Sequence, residues 1–215
     1  MKKNKLTRVD VASILLDDND LSLRDLSGLD LSDLYFGDTT LYGANLYGAN
    51  LAWATFTGAT LVDANMVNAD ARGASFVCAK LSGANLTSAR LTHADFTGAV
   101  CTGTVFEHAY CRRAWFRHAK LAMANLSYAT FTDADLSDAD LRFSTISRAV
   151  FDSAECRYVK FNCATVNNVA FKGTALDHAS FAAAWLSDVD FYSCNLENVN
   201  FNGISGNYRA AEMSA

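Results

Sequence analysis

At 215 residues, 51% of them hydrophobic and none of them proline, the chain can support one continuous core and carries no ordinary linker signal. Eighteen Lys and Arg against 23 Asp and Glu leave a formal charge of −5, which excludes a general nucleic-acid binder, because that function needs a basic footprint. No apolar segment approaches membrane-spanning length, so a soluble, cytoplasmic protein without a membrane partner is expected.

Residues 1–18 come first. Lys2, Lys3 and Lys5 open the chain like a signal peptide, but the apolar run 11–16 is too short for one and ends at Asp17 and Asp18. Thr7 with Asp10 reads as a capping box with Asp in place of Glu or Gln, and Leu6 with Val11 as a hydrophobic staple. The spacing predicts a short helix over about 8–16 with Leu6, Val9, Ile14, Leu15 and Leu16 on a loosely apolar face. It would cover the open N-terminal end of the following array, and a flexible basic tail would precede it.

Residues 19–203 keep a five-residue beat. Its 37 centre positions, from Leu21 to Phe201, hold 17 Leu and 13 Phe, the others being Met66, Ala71, Cys101, Cys111, Ile146, Cys156 and Val166. Two residues before each centre lies a small column, Ala at 24 of the 37 positions. A period of five is neither helical nor that of a flat strand. The small and the large residue lie two apart and point the same way, as in extended chain. Ten of the twelve glycines fall two residues after a centre, where positive φ helps the chain turn.

Four such sides would close a twenty-residue coil that stacks on the next. About nine coils at ~4.8 Å each give a rod roughly 44 Å long. This arrangement predicts a stacked column of Phe36, Phe56, Phe76, Phe96 and Phe116, and another of Phe131, Phe151, Phe171 and Phe191. It also predicts an amide ladder of Asn45, Asn65 and Asn85 outside. Arg24, Leu29 and Leu34 break the small column in the first coil, as terminal repeats commonly do. After Phe201 the next centre position is Gly206, and the short tail 204–215 cannot cover the last coil. An uncovered coil end is an edge, so a second copy is expected to meet it as a homodimer.

The stretches "GANLYGANL", "HADFTGAV" and "ADLSDADL" resemble the pentapeptide-repeat family, whose motif is A(D/N)LXX; the resemblance spans 185 of the 215 residues. It implies an all-β fold, a right-handed quadrilateral β-helix. It also implies a non-catalytic role, since some members mimic duplex DNA, bind type II topoisomerases (DNA gyrase or topoisomerase IV) and protect them from quinolones or peptide toxins. The loop-free Ala-based repeats here lack the projecting loops of many quinolone-resistance members.

The site inventory contains no Gly-rich phosphate loop, zinc-ligand spacing or convergent nucleophile–base set, so neither an enzyme nor a cofactor is expected. In the twenty-residue register Cys101, Cys111, Cys156 and Cys194 fall inside as small apolar groups, while Cys78 and Cys163 fall outside. No two cysteines are twenty apart, and His93, His108, His118 and His178 share one outward repeat position without stacking on each other. Disulfides and metal binding are therefore not expected.

Two surface features remain as candidate protein-binding sites. One is an acidic face beside the Phe36 column, carrying Asp38, Asp95, Asp135, Asp138, Glu155, Asp177 and Glu197 against Arg117 and Arg157. It reads either as a solvated face or as a surface for a basic-site partner such as a topoisomerase. The adjoining order Lys120–Asp140–Lys160 reads as a structural ion ladder. The second feature is a belt of Tyr110, Arg112, Arg113, Trp115 and Arg117, a composition typical of interface hot spots. It would bind a regulatory or effector partner unrelated to topoisomerases, or merely shield the waist of the rod.

Overall fold

Each five-residue unit is a β-turn. In the computed structural model, which describes residues 6–207, the amide three residues after a centre donates to that centre's carbonyl. Ala44 to Leu41 (3.1 Å) and Ala139 to Leu136 (2.9 Å) are examples. The residue two after the centre has a φ between 52° and 71° in all 37 units, so the turn is one geometry repeated throughout. Ten of these residues are Gly and 27 are not, yet none of the 37 is Val, Ile or Thr. β-Branched side chains are the ones this left-handed region tolerates least. The basic stretch Lys2, Lys3 and Lys5 and most of the tail 204–215 lie outside the described residues.

The Asn or Asp before a centre has its own task. Its Oδ1 accepts from the amide one residue past the centre, as Asp20 does from Ser22 (2.8 Å), Asn85 from Thr87 (3.0 Å) and Asn125 from Ser127 (3.0 Å). This amide is the one the stack leaves over, and the short polar side chain satisfies it locally. The acidic and amide residues of the motif are therefore first of all turn-makers.

Successive layers pair at an offset of twenty residues, always in parallel, from Asp20↔Thr40 to Trp185↔Ser205. Within this stack β1 (Thr145–Ser147), β2 (Thr165–Asn167) and β3 (Trp185–Ser187) form one parallel sheet, with Ile146, Val166 and Leu186 in register. Each centre donates its amide to one neighbouring layer, and the residue before it donates to the other. Leu61 bonds the Lys80 carbonyl at 2.7 Å and Thr60 the Thr39 carbonyl at 2.9 Å.

At the N-terminal end α1 (Arg8–Asp17) lies across the first layer. Thr7 and Asp10 form the expected capping box, Val11 is fully buried, and Leu6, Ile14 and Leu15 pack on the core. Arg8 ties the helix down by donating to the carbonyls of Asp30 (3.0 Å) and Ser32 (2.8 Å). Val9 and Leu16, expected on the packed face, are instead exposed. Arg24 is exposed too, since in the first layer its position is not enclosed.

Inside, Phe36, Phe56, Phe76, Phe96 and Phe116 stack with centroids 4.7–5.0 Å apart. Phe131, Phe151, Phe171 and Phe191 form the second column at 5.0–5.6 Å. A third, Phe161, Phe181 and Phe201, meets the second edge-on, with Phe161 to Phe171 at 5.9 Å and 76°.

Interior volume explains the cysteines. In the layer where Phe96 and Phe106 meet edge-on at 5.8 Å, the other two centres shrink to Cys101 and Cys111. In the layer of Phe161 and Phe171 they are Cys156 and Val166. Cys101, Cys111 and Cys156 are buried, and burial pushes their thiols well above the usual range. Cys194 departs from expectation: it is only partly buried, its thiol donates to the Phe171 carbonyl (2.8 Å), and burial raises it to about 11.

The stack reaches Ser205, beyond the last apolar centre. Gly206 continues it because a Cβ there would lie 2.1 Å from the Leu186 carbonyl oxygen. Leu196, Val199, Phe201 and Ile204 are only partly buried at this end. Among the described residues no helix is long and apolar enough to cross a membrane.

Candidate protein-binding surface

Outward side chains are placed by the turn: the residue before each centre pairs between layers, and the two after it form the corner. The acidic candidates occupy both kinds of place. Asp95 and Asp135 are turn-makers whose Oδ1 atoms accept from the amides of Thr97 (2.8 Å) and Ser137 (3.0 Å). Burial acts to raise the Asp135 carboxyl, but the Ser137 bonds and the Arg117 guanidinium outweigh it and hold it below the usual range. Arg157 reaches both Glu155 (2.7 Å) and Asp177 (3.1 Å). Asp138 is half exposed with His118 3.8 Å away, and Glu197 is exposed on the last layer.

Asp135 and Glu155 are indeed vertical neighbours of like sign. Each is matched by an arginine, Asp135 by Arg117 of the layer before and Glu155 by Arg157 two residues along its own layer, pairings that counting charges column by column does not reveal. The same happens beside it: Lys120, Asp140 and Lys160 bridge in order, yet Asp140 is gripped by Arg142 through two bonds of 2.8 and 2.7 Å. The amide ladder is also displaced by one rung. It runs Asp25–Asn45–Asn65, with both bonds at 3.0 Å, while Asn85 accepts from Thr87.

The belt is built differently. At 110 and 115 the turn-making Asn or Asp is replaced by Tyr and Trp, 56% and 55% exposed. Arg112, Arg113 and Arg117 are exposed alongside them. Arg112 and Arg113 share one carboxylate, Asp133, each at 3.4 Å. In the layers before, Arg72 and Arg90 likewise share Asp70, at 2.7 and 3.5 Å, and Arg90 bridges Tyr110. The Arg72 bonds, ahead of the opposing cost of burial, hold Asp70 below the usual carboxylate range.

Position along the stack sorts the charges more sharply than position around it. Among the described residues, 6–71 carry ten acidic side chains against Arg8 and Arg24. Between 72 and 120 the balance reverses, with seven Lys and Arg against Asp95 and Glu107. From 121 to 207 ten acidic residues again exceed five basic ones. The belt lies at the C-terminal edge of a basic band inside an acidic rod. Reading the sequence by faces missed Arg72 and Arg90; a running charge sum along the chain finds them.

Other aromatic and titratable groups stack outside without converging. His108 lies on Tyr128 at 4.6 Å, Tyr158 on His178 at 4.8 Å, and Arg148 over Tyr128 at 5.6 Å. Among the described residues no group of His, Cys, Asp and Glu could hold a metal ion.

A family model described as pentapeptide repeats matches the sequence in eight copies, over 25–58, 49–87, 84–122, 116–152, 131–164 and 167–203. No curated protein matches. Among solved structures the chain is similar to HetL, a pentapeptide repeat protein involved in heterocyst differentiation regulation from the cyanobacterium Nostoc sp. strain PCC 7120. The identity is 26%, with 86% of each chain covered and a TM-score of 0.67. It is also similar to full-length QnrB1, a plasmid-mediated fluoroquinolone resistance protein, at 17% identity over 84% of this chain and 95% of that one, TM-score 0.41. A third is a pentapeptide repeat protein of the Arabidopsis thaliana thylakoid lumen, 40% identical over 45% of this chain and 64% of that one, TM-score 0.28.

Proposed function

The chain belongs to the pentapeptide-repeat family, and from that premise we propose that it is a non-catalytic, regulatory protein-binding scaffold whose partner docks on the belt around Tyr110 and Trp115. The observation that carries this reading is the exchange, at these two positions, of a backbone-satisfying side chain for an exposed aromatic one. An aromatic at that place gives up the Asx turn, as Tyr35 and Trp185 also do, but only at 110 and 115 does it stand among Arg112, Arg113 and Arg117, and exposed Tyr and Trp beside Arg supply the strongest binding contacts at interfaces. The regulatory role named for HetL supports the same class of function.

In this reading each twenty-residue period is one coil of a right-handed, four-sided β-helix of about nine coils over 19–203. The helix Arg8–Asp17 caps it at one end, and a second copy covers the other. The work is that of a rigid ruler: residues far apart in sequence are held at fixed heights for the partner.

The test is affinity capture with wild type and with Tyr110→Ala/Trp115→Ala, beside a gyrase supercoiling assay. Loss of the captured partner in the double variant, with supercoiling unaffected, is the expected result. Capture that survives the double variant overturns the belt. Inhibition or protection of gyrase that disappears on charge reversal at Asp138 and Glu197 would return the function to the acidic side, as mimicry of duplex DNA.

A further inference from the structure

The ion pairs of the basic band do not balance. Asp70 binds Arg72 through two bonds of 2.7 Å and leaves Arg90 at the looser 3.5 Å. Asp133 is divided between Arg112 and Arg113 at 3.4 Å each. Each carboxylate thus faces two guanidiniums, and each group keeps one positive charge over. The exposed ring of Tyr110 lies between the two groups, bridged to Arg90 in one layer and two residues before Arg112 in its own. Every arginine of the set keeps about half of its side chain in solvent.

We infer that this surface binds a short acidic segment of a partner protein, with its carboxylates on Arg90 and Arg113 and an apolar side chain on Tyr110. The inference rests on the belt as the docking site and supplies the chemistry of what docks there. Arginine forks suit carboxylates, bidentate pairing adds direction to the attraction, and the aromatic ring offers a surface free of charge.

Charge along the rod limits the occupant's length. The basic band, 72–120, is about 12 Å tall at ~4.8 Å per layer. Acidic layers adjoin it on both sides, ten carboxylates against two arginines before it and ten against five bases after it. A duplex laid along the stack would bring its phosphates over those layers, well within a Debye length of about 8 Å at physiological salt. A segment of a few acidic residues engages the band alone, so a protein is favoured over nucleic acid.

The experiment uses the full chain and fluorescence anisotropy with a labelled glutamate-rich peptide carrying one central Phe. The same peptide with Gln for Glu and a single-stranded oligonucleotide of equal length serve as competitors. The expected result is saturable, salt-sensitive binding of the glutamate peptide that the Gln peptide does not displace. Arg90→Gln/Arg113→Gln should weaken it roughly tenfold. Asp70→Asn and Asp133→Asn should tighten it, because each frees a guanidinium; Asn can still accept from the Arg72 amide at 70 and is tolerated at the positive φ of 133. A cooperative thermal unfolding transition in each variant shows that it is folded.

Equal binding of the Gln peptide, or undiminished binding by the arginine variant, overturns the inference. Competition by the oligonucleotide at lower concentration than unlabelled glutamate peptide would assign the surface to nucleic acid and overturn it as well. A Trp115-dependent protein partner with no affinity for the glutamate peptide would leave the belt standing and remove only its acidic chemistry.

Discussion

The layers before and after Phe116 share one backbone and fill it differently. Up to Phe116 a single column of stacked Phe does most of the filling, and from Ala44 on the small column is Ala at every place but Thr104. Beyond it two adjoining Phe columns meet edge-on, and Val159, Val169, Val189 and Val199 enter the small column. Corners differ as well: eight of the ten corner glycines precede Phe116 and only Gly173 and Gly203 follow it. The lesson is that turn geometry sets the layer, whereas the interior asks only for a total volume, which several combinations meet.

Removing a ring is the most severe way to break this comparison. Phe96 stacks at 4.7 Å on both Phe76 and Phe116 and meets Phe106 edge-on. Phe96→Ala should cost about 3–5 kcal/mol in urea unfolding. Phe191→Ala, at the partly open end and 4% exposed, should cost less because its site can relax. Equal costs would mean that the end is as tightly packed as the middle.

Overfilling the small column comes next. Ala94→Val, in the single-column region, should destabilise by about 1–3 kcal/mol. Val169→Ala should lose about 1–2 kcal/mol from the methyl groups it removes. A neutral Ala94→Val would show that volume does not set this column. Sharper still is the pair Phe106→Leu with Cys111→Leu: each alone misfills the layer, and together they should recover part of the loss, with a coupling of about 0.5–3 kcal/mol in a double-mutant cycle.

Corners and carboxylates carry the smallest effects. Gly98→Ala should lower stability by about 1 kcal/mol, since its φ of 67° suits Gly, while Ser153→Gly at 57° should be neutral or slightly stabilising. Arg72 at Asp70 and Arg142 at Asp140 head the causes that hold those carboxyls below their ordinary value, and the Ser137 bonds and Arg117 do so at Asp135 against the cost of burial. A carboxyl lowered on folding stabilises above its unfolded pKa of about 4 and ceases to do so as pH falls through the folded value. The unfolding temperature should therefore not vary with pH on account of these three groups near neutrality, where their contribution is fully present, and should decline in acid, with Asp70→Asn shrinking the acid-side slope.

The columns were legible because a repeat superposes 37 copies of the same evidence, so Phe36 to Phe116 could be stacked on paper. The helix cap at Thr7 and the buried Cys101 and Cys111 followed from local rules in the same way. Surface pairing was not legible. Whether Asp135 faces Glu155 in repulsion or Arg117 in attraction depends on a corner side chain that reaches diagonally from the preceding layer, which column counting ignores. Nor does a residue's address reveal that Asp95 spends an oxygen on the Thr97 amide. The turn itself left a readable trace, the lack of Val, Ile and Thr two residues after every centre.

The twenty-residue pairing offset also gives the chain something like a reading frame. Deleting twenty residues from the middle would shorten the rod by one layer and leave every column in register. Inserting a single unit of five between Phe116 and Phe131 would keep every turn intact but move each later column to the next place. Phe131, Phe151, Phe171 and Phe191 would then fall directly beneath Phe116, joining two separate aromatic stacks into one of nine rings. Growth by whole layers conserves the surface as well as the core, whereas growth by single units conserves the fold and carries Asp133 away from Arg112 and Arg113.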